Sequence, residues 1–308
     1  MRHGLQEREQ QTAISAPTRR GVTRGMLGLG GLGIVSLVTT ACSPLGVLNG
    51  MAPRRQAAQD IAYGSDPRQR LDIYVPEGLR SPAPVIVFYY GGSWDSGSKA
   101  MYRFVGGALA AQGFVTVIPD YRLYPQVRYP TFLDDCASAF AWTAEHARQW
   151  GGSDTQFLMG HSAGAYNAAM LALDLSYLRA AQSRLMPAGT VGIAGPYDFL
   201  PLESAELKTI FGFPTAPLTQ PINHVDGHNA PMLLLAGTQD TTVLPRNTTR
   251  LAARIRDAGG PVSSKLYPGI DHREIIGAIG QPFRFLAPTL SDSVSFLHQT
   301  ASAKVQPA

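Results

Sequence analysis

Gln156-Phe157-Leu158-Met159, then Gly160-His161-Ser162-Ala163-Gly164, then Ala165-Tyr166-Asn167-Ala168-Ala169-Met170-Leu171-Ala172-Leu173: this stretch decides how the chain is read. A short apolar run predicts a strand, the Ala- and Leu-rich run predicts a helix, and G-x-S-x-G joins them. In that context the five residues form a turn that lifts a serine hydroxyl clear of the sheet. The turn is tight enough for residues two before and two after the serine to crowd neighbouring backbone, so Gly160 and Gly164 leave room that a Cβ would fill. Ser162 becomes a candidate nucleophile. The amide of Ala163, at the start of the helix, is placed to meet a developing negative charge. A serine capping a helix after a Gly-rich turn would account for the same residues, so the chemical reading depends on partners elsewhere.

The chain has 308 residues, 44% hydrophobic and 16% charged, enough for a sizeable α/β core. Its formal charge of +4 is concentrated near the start. Residues 1–41 hold Arg2, Arg8, Arg19, Arg20 and Arg24 against Glu7 and Glu9, which leaves +1 for the remainder. Nothing in that distribution argues for a nucleic-acid partner.

Residues 25–41 form an uncharged, Gly-rich apolar run behind this Arg-bearing stretch. The run is shorter than the ~20 residues that span a bilayer comfortably. Positive flank, apolar middle and small residues at the end predict an export signal over residues 1–41. Thr18-Arg19-Arg20-Gly21-Val22-Thr23-Arg24 resembles a twin-arginine signal, with Thr23 where a large apolar residue is usual. Thr40-Ala41-Cys42 resembles the end of a bacterial lipobox, with Thr39 departing from its aliphatic preference. The resemblance implies lipidation of Cys42 and attachment to the periplasmic face of the envelope, at the outer membrane since Ser43 follows. Its rival is a secreted or periplasmic protein cleaved nearby. The second cysteine, Cys136, falls in a predicted helix, and a disulfide framework is not expected.

Residues 42–59 are expected to be a tether and residues 60–302 the domain. Around the Gly64-Ser65-Asp66-Pro67 turn, residues 60–63 and 71–76 predict an antiparallel entry hairpin. Residues 84–90 and 114–119 are continuous apolar runs of the kind buried on both faces of a sheet. Helices are expected over residues 101–112 and 130–150, the second carrying Phe132, Cys136, Ala139, Phe140, Thr143 and Ala147 at helical spacing. Strands at 190–194, 231–236 and 263–267 alternate with helices at 246–258 and 285–300. This alternation predicts an α/β fold: a mainly parallel sheet, helices on both faces, and chemistry at the carboxyl ends of the strands. The irregular segment 199–229 interrupts it and is expected to lie over the site as a partial lid.

A serine needs a base within hydrogen-bond reach, and the base needs an orienting carboxylate. In this architecture the order along the chain is serine, acid, histidine. His272, in Tyr267-Pro268-Gly269-Ile270-Asp271-His272 after the last strand, is the candidate base. Asp240, in Gly237-Thr238-Gln239-Asp240 after the Leu-rich strand, is the preferred acid, and Asp198 after the preceding strand is the alternative. Asp271 reads as a solvated or capping residue. Tyr90-Gly91-Gly92-Ser93-Trp94 follows a core strand, and amides near Gly91 and Gly92, with that of Ala163, are candidates for an oxyanion hole. Trp94, Tyr124, Tyr166 and Tyr197 are candidates for lining the pocket.

Taken together, the elbow, the Gly91-Gly92-Ser93-Trp94 loop, Asp120-Tyr121-Arg122-Leu123 and the contexts of Asp240 and His272 resemble the α/β-hydrolase superfamily. Within it they resemble carboxylesterases related to hormone-sensitive lipase and kynurenine formamidase. The resemblance covers residues 60–300. The relatives usually carry His where Tyr90 stands, which bears on the rigidity of the loop. Asp120 to Tyr124 is expected to be a structural brace in which Asp120 and Arg122 pair with backbone and each other. The resemblance implies a serine hydrolase acting on small-molecule esters through an acyl-enzyme, with little or no cap and no metal or organic cofactor. An arylformamidase or other amidase using the same triad is the first alternative, a catalytically idle surface binding protein the second, and a peptidase the third.

Overall fold

A computed structural model describes residues 44–305. Eight strands form one sheet: β1 (Gln56–Ala62), β2 (Arg70–Tyr74), β3 (Ala83–Tyr89), β4 (Val115–Pro119), β5 (Gly152–His161), β6 (Thr190–Ile193), β7 (Met232–Gly237) and β8 (Val262–Tyr267). They lie in the order β1-β2-β4-β3-β5-β6-β7-β8. β2 is antiparallel to both β1 and β4, and every pair from β4 onward is parallel. The entry hairpin therefore closes one edge, and the apolar runs occupy the middle, where β3, β5 and β7 are almost entirely buried.

Alternation along β2 shows how the two faces are covered. Tyr74 turns to α2 (Arg103–Ala110), where its ring occupies the space over Gly106. Leu71 and Ile73 point the other way and cluster with Ala139 of α3 (Thr131–His146). Successive strand residues face opposite sides, so the two helices flank the sheet on opposite faces. The stripe expected on α3 is buried as read, and Thr143, its polar member, donates its hydroxyl to the carbonyl of Ala139 at 2.7 Å.

α4 (Ala163–Leu173) is buried along its whole length, packed against β5 and β6. That is why its sequence is apolar on every side rather than striped. α5 (Ser176–Ala180) follows it, and the segment 199–229 contains α6 (Ala205–Phe211) and short 3-10 turns. α7 (Arg246–Asp257) packs on β7 and β8, α8 (Glu274–Gly277) follows the last strand, and α9 (Thr289–Val305) closes the fold.

The expected tether is instead partly built into the domain. Residues Pro44–Gly50 form α1, with Leu48 buried. Asn49 ties α1 down by donating to the carbonyls of Ala100 and Met101 and accepting from the amide of Phe104. Residues 56–59 belong to β1. The short apolar content of this stretch hid a docked helix whose hold is mainly polar. The expected signal and Cys42 lie outside the described residues.

Candidate active site

The turn after β5 has the shape its sequence implies. Ser162 sits at φ 55°, ψ −124°, a left-handed conformation rarely held by a residue with a side chain. Its amide donates to the carbonyl of Ile193, and its own carbonyl accepts from Ala165 and Tyr166 as α4 begins. A Cβ on Gly160 would lie 2.2 Å from the carbonyl oxygen of Gly164, and one on Gly164 would lie 2.0 Å from that of Tyr89. The Ser162 side chain is half-buried and, among the described residues, has no hydrogen-bond partner. The amide of Ala163 is the first of α4 and has no carbonyl to meet within its helix.

Asp240 follows β7 and is buried. One carboxylate oxygen accepts from the amides of Thr242 and Val243, at 2.9 and 2.8 Å. The other lies 2.7 Å from His272 Nδ1. An ionised carboxylate only accepts, so Nδ1 carries the hydrogen and Nε2 of the neutral ring keeps its lone pair, the tautomer that a general base requires. Among the described residues no hydrogen bond joins Ser162 Oγ to His272, and such contacts often tighten only when substrate is bound.

His161 lies inside the elbow, and the structure gives it a contact there. Its Nε2 lies 3.1 Å from the carbonyl oxygen of His272 and its Nδ1 3.2 Å from the hydroxyl of Tyr102. The carbonyl accepts only from N–H, so Nε2 donates to it and Nδ1 accepts from the phenol. Burial, reinforced by the neighbouring His272, lowers the pKa of His161 to about 3. The ring is therefore a neutral strut between the nucleophile's turn and the loop of His272, with ring centroids 4.9 Å apart. No spacing rule marks it, because the two ends of the strut are 111 residues apart.

The loop after β3 passes against the elbow: a Cβ on Gly91 would lie 2.8 Å from that of Ser162. Gly92 adopts φ 136°, and Ser93 and Trp94 are left-handed at φ 49° and 62°. The carbonyl of Gly92 accepts from the amides of Asp95 and Ser96, while the amides of Gly92 and Ser93 bond to nothing among the described residues. Beyond this turn, Trp94 donates its indole N–H to Asn167 Oδ1 at 2.9 Å and packs with Phe132, Tyr166 and Phe211.

Three of the four expected pocket residues belong to the core. Trp94 is 3% exposed, and Tyr166 and Tyr197 are wholly buried. Tyr166 donates to the carbonyl of Thr219, and Tyr197 lies over Gly192 and Gly195. Large aromatics beside a reactive turn are read as lining, but here their area goes into fixing that turn. Tyr124 alone of the four is partly exposed. Phe199 and Phe211, from the segment expected to be a lid, pack on Trp94 and Tyr166 and cover this side of the rim.

The remaining acids are accounted for. Asp198 pairs with Arg250 at 2.9 Å, and Asp271 accepts from the amides of Arg273 and Glu274 at the start of α8. Asp120 and Arg122 do not pair with each other: Arg122 grips Asp135, and Asp120 accepts from the amide of Lys99. Cys136 is buried, its thiol pKa pushed well up by burial. Among the described residues no group of three or more His, Cys, Asp or Glu is arranged to hold a metal ion. A cleft of about 270 Å³ lined by Asp174, Arg179 and His224 lies beyond the far end of α4 from Ser162. It has no contact with the reactive turn.

A match to the BD-FAE family covers residues 71–255, more than half of the chain, and takes in the elbow and Asp240. The chain belongs to the BD-FAE family. The prolyl oligopeptidase family also matches, over residues 214–300, which include His272. A probable isoprenylcysteine alpha-carbonyl methylesterase of Oryza sativa subsp. japonica is 28% identical over 269 residues, 79% of this chain and 64% of that protein. Esterase LipC of Mycobacterium tuberculosis is 31% identical over 224 residues, 64% of this chain and 54% of its own. This BD-FAE chain thus spans between about half and two thirds of those proteins. Kynurenine formamidase of Drosophila melanogaster is 27% identical over 226 residues, 70% of this chain and 74% of that protein. Among solved structures, esterase B from Lactobacillus rhamnosis superposes with TM-score 0.72 at 19% identity, covering 87% of this chain and 92% of the other. A truncated carbohydrate esterase from gut microbiota gives 0.70 at 20% identity, covering 82% and 99%. These last two likenesses concern the fold, which is that of α/β-hydrolases.

Proposed function

We propose that the protein is a serine hydrolase that cleaves carboxylic esters of small molecules through an acyl-enzyme. The observation that carries this reading is the left-handed Ser162 on its glycine-flanked turn, with the His272–Asp240 pair tied through His161 to the same turn. Ser162 Oγ attacks the ester carbonyl carbon while His272 Nε2 takes the hydroxyl proton. Amides of Ala163 and of the Gly91-Gly92 loop hold the oxyanion. The carbon–oxygen bond to the alcohol breaks as His272 returns the proton to the leaving oxygen. Water then repeats the sequence, releasing the carboxylic acid and free Ser162.

The test is turnover of a short p-nitrophenyl ester, with mass spectrometry of the adduct formed by a fluorophosphonate probe. The expected adduct is on Ser162, and Ser162→Ala abolishes both labelling and turnover, a loss of about 10⁶ in kcat. Wild-type protein that neither turns over the ester nor takes the probe sinks the reading in favour of a binding protein on a hydrolase fold. The 27% identity to a kynurenine formamidase favours one second reading, cleavage of an aryl formamide by the same residues. Relative kcat/KM for N-formylkynurenine and the ester separates the two.

The reading extends to location. Residues 1–41 act as an export signal and Cys42 receives lipid at the periplasmic face of the envelope. Only Ser43 separates that cysteine from α1, so the domain would be held close to the membrane rather than on a long leash. Metabolic labelling with an alkyne fatty acid tests this: wild type is expected to incorporate label and Cys42→Ala none.

A further inference from the structure

Within the oxyanion loop the carbonyl of Gly92 accepts from the amides of Asp95 and Ser96, yet two of its residues are left-handed without being glycine, and the amides of Gly92 and Ser93 bond to nothing among the described residues. Further anchors come from outside. Tyr121 donates its hydroxyl to the carbonyl of Tyr90 at 2.7 Å, where the loop begins. The ring of Tyr90 stacks on Tyr121 with centroids 4.8 Å apart. Three more ties converge on one side chain. Arg68 Nη2 donates to the Tyr90 hydroxyl at 2.9 Å and to the carbonyl of Gly97 at 2.6 Å, while its Nε donates to the carbonyl of Tyr121 at 2.7 Å.

We propose that Arg68 is a positioning residue for the oxyanion hole, clamping both ends of the loop 90–97 through Tyr90 and Gly97. The proposal rests on the esterase reading of the same site. Gly97 is packed so closely that a Cβ there would lie 2.6 Å from the carbonyl of Gly91, so a tie on Gly97 bears on the residue that abuts Ser162. The clamp is set in turn by its own hairpin, where Asp66 accepts from the amide of Arg68 and is itself held by Gln126. A planar guanidinium presents several donors in a fixed fork, which an ammonium does not. Tyr90 therefore gives the guanidinium a hydroxyl to grip at the start of the loop.

The experiment compares wild type with Arg68→Met, Arg68→Lys and Tyr90→Phe. Each is measured for kcat and KM on a short ester and for inhibition by a trifluoromethyl ketone, whose adduct with Ser162 carries the oxyanion. Arg68→Met is expected to lower kcat about 10- to 100-fold with KM nearly unchanged, below the 10²–10³ that outright loss of an oxyanion donor costs. The inhibition constant of the ketone is expected to rise by the same factor. Lysine restores only part of the loss. Tyr90→Phe, which removes one oxygen and keeps the buried ring, shows a smaller loss of the same kind and decides the matter if Arg68→Met does not fold. Variants whose kcat and ketone inhibition stay within about twofold of wild type overturn the proposal, even where their melting temperature falls. An inactive wild type that takes no fluorophosphonate overturns the esterase reading itself, and the clamp with it.

Discussion

The elbow and the oxyanion loop meet at Ser162, yet they are held in opposite ways. The elbow is fixed from within: Gly160 and Gly164 interlock with neighbouring carbonyls, and the ladder to β6 continues through the amide of Ser162. The loop after β3 is fixed from without, by Arg68 on the entry hairpin, Tyr121 after β4 and Asn167 on α4. Strain held by local sterics is robust to changes elsewhere, whereas strain held by distant side chains is lost when any one of them goes. One region is therefore damaged chiefly at its own residues, and the other also from across the molecule.

After loss of Ser162 itself, the largest effect should come from the third participant, which belongs to neither region. Asp240→Asn removes the acceptor that fixes the His272 tautomer, and loss of about 10⁴ in kcat is expected, as in other triads whose carboxylate is amidated. Asp198→Asn breaks only a pair with exposed Arg250 and should leave kcat within about twofold. Steady-state kinetics on the two variants decide which aspartate belongs to the site, and a reversal of this order would reassign the acid.

A smaller effect distinguishes the two turns directly. Gly164→Ala puts a methyl group 2.0 Å from the carbonyl oxygen of Tyr89 inside the core. Its cost should appear as stability, about 4 kcal/mol or more in denaturant unfolding. Gly92→Ala meets the carbonyl of Ser96 at 2.3 Å within a surface loop and at φ 136°. There the loop should yield, losing about 10²–10³ in kcat with little change in the unfolding midpoint. Equal losses of stability in the two variants would erase the distinction between inner and outer support.

The same distinction explains what could be read from the sequence. The elbow, the mainly parallel sheet implied by alternation, and the loops bearing Asp240 and His272 rest on local patterns, and each stands where its spacing predicts. Lengths were less legible: β5 begins at Gly152, before its apolar run, because a strand needs backbone partners more than apolar side chains. α1 was missed because Asn49 and one buried leucine dock it. Arg68, Asp135 as the partner of Arg122, and the strut at His161 join positions 13 to 111 residues apart. Such pairings exist only once the sheet has brought its edges together, and no single-sequence periodicity encodes them. The aromatic residues misread as pocket lining show the converse error: residue type alone does not say whether a ring faces substrate or core.

The smallest effect concerns the strut. Buried His161 has a pKa near 3 in the folded protein, whereas an unfolded histidine titrates near 6.5. Between those values the unfolded chain takes up a proton that the folded one refuses. The contribution of this residue is thus complete above about pH 6.5, falls as pH drops toward 3, and changes no further below that. Each pH unit in that window weakens the fold by at most about 1.4 kcal/mol. His161→Gln keeps an N–H that can reach toward the carbonyl of His272 but does not titrate. Urea midpoints measured from pH 7 to pH 4 should therefore fall less steeply in the variant, while kcat at pH 8 drops only about threefold. Parallel curves for the two proteins would mean that the imidazole is protonated in place, and that the neutral contact between the elbow and the His272 loop is not what holds them together.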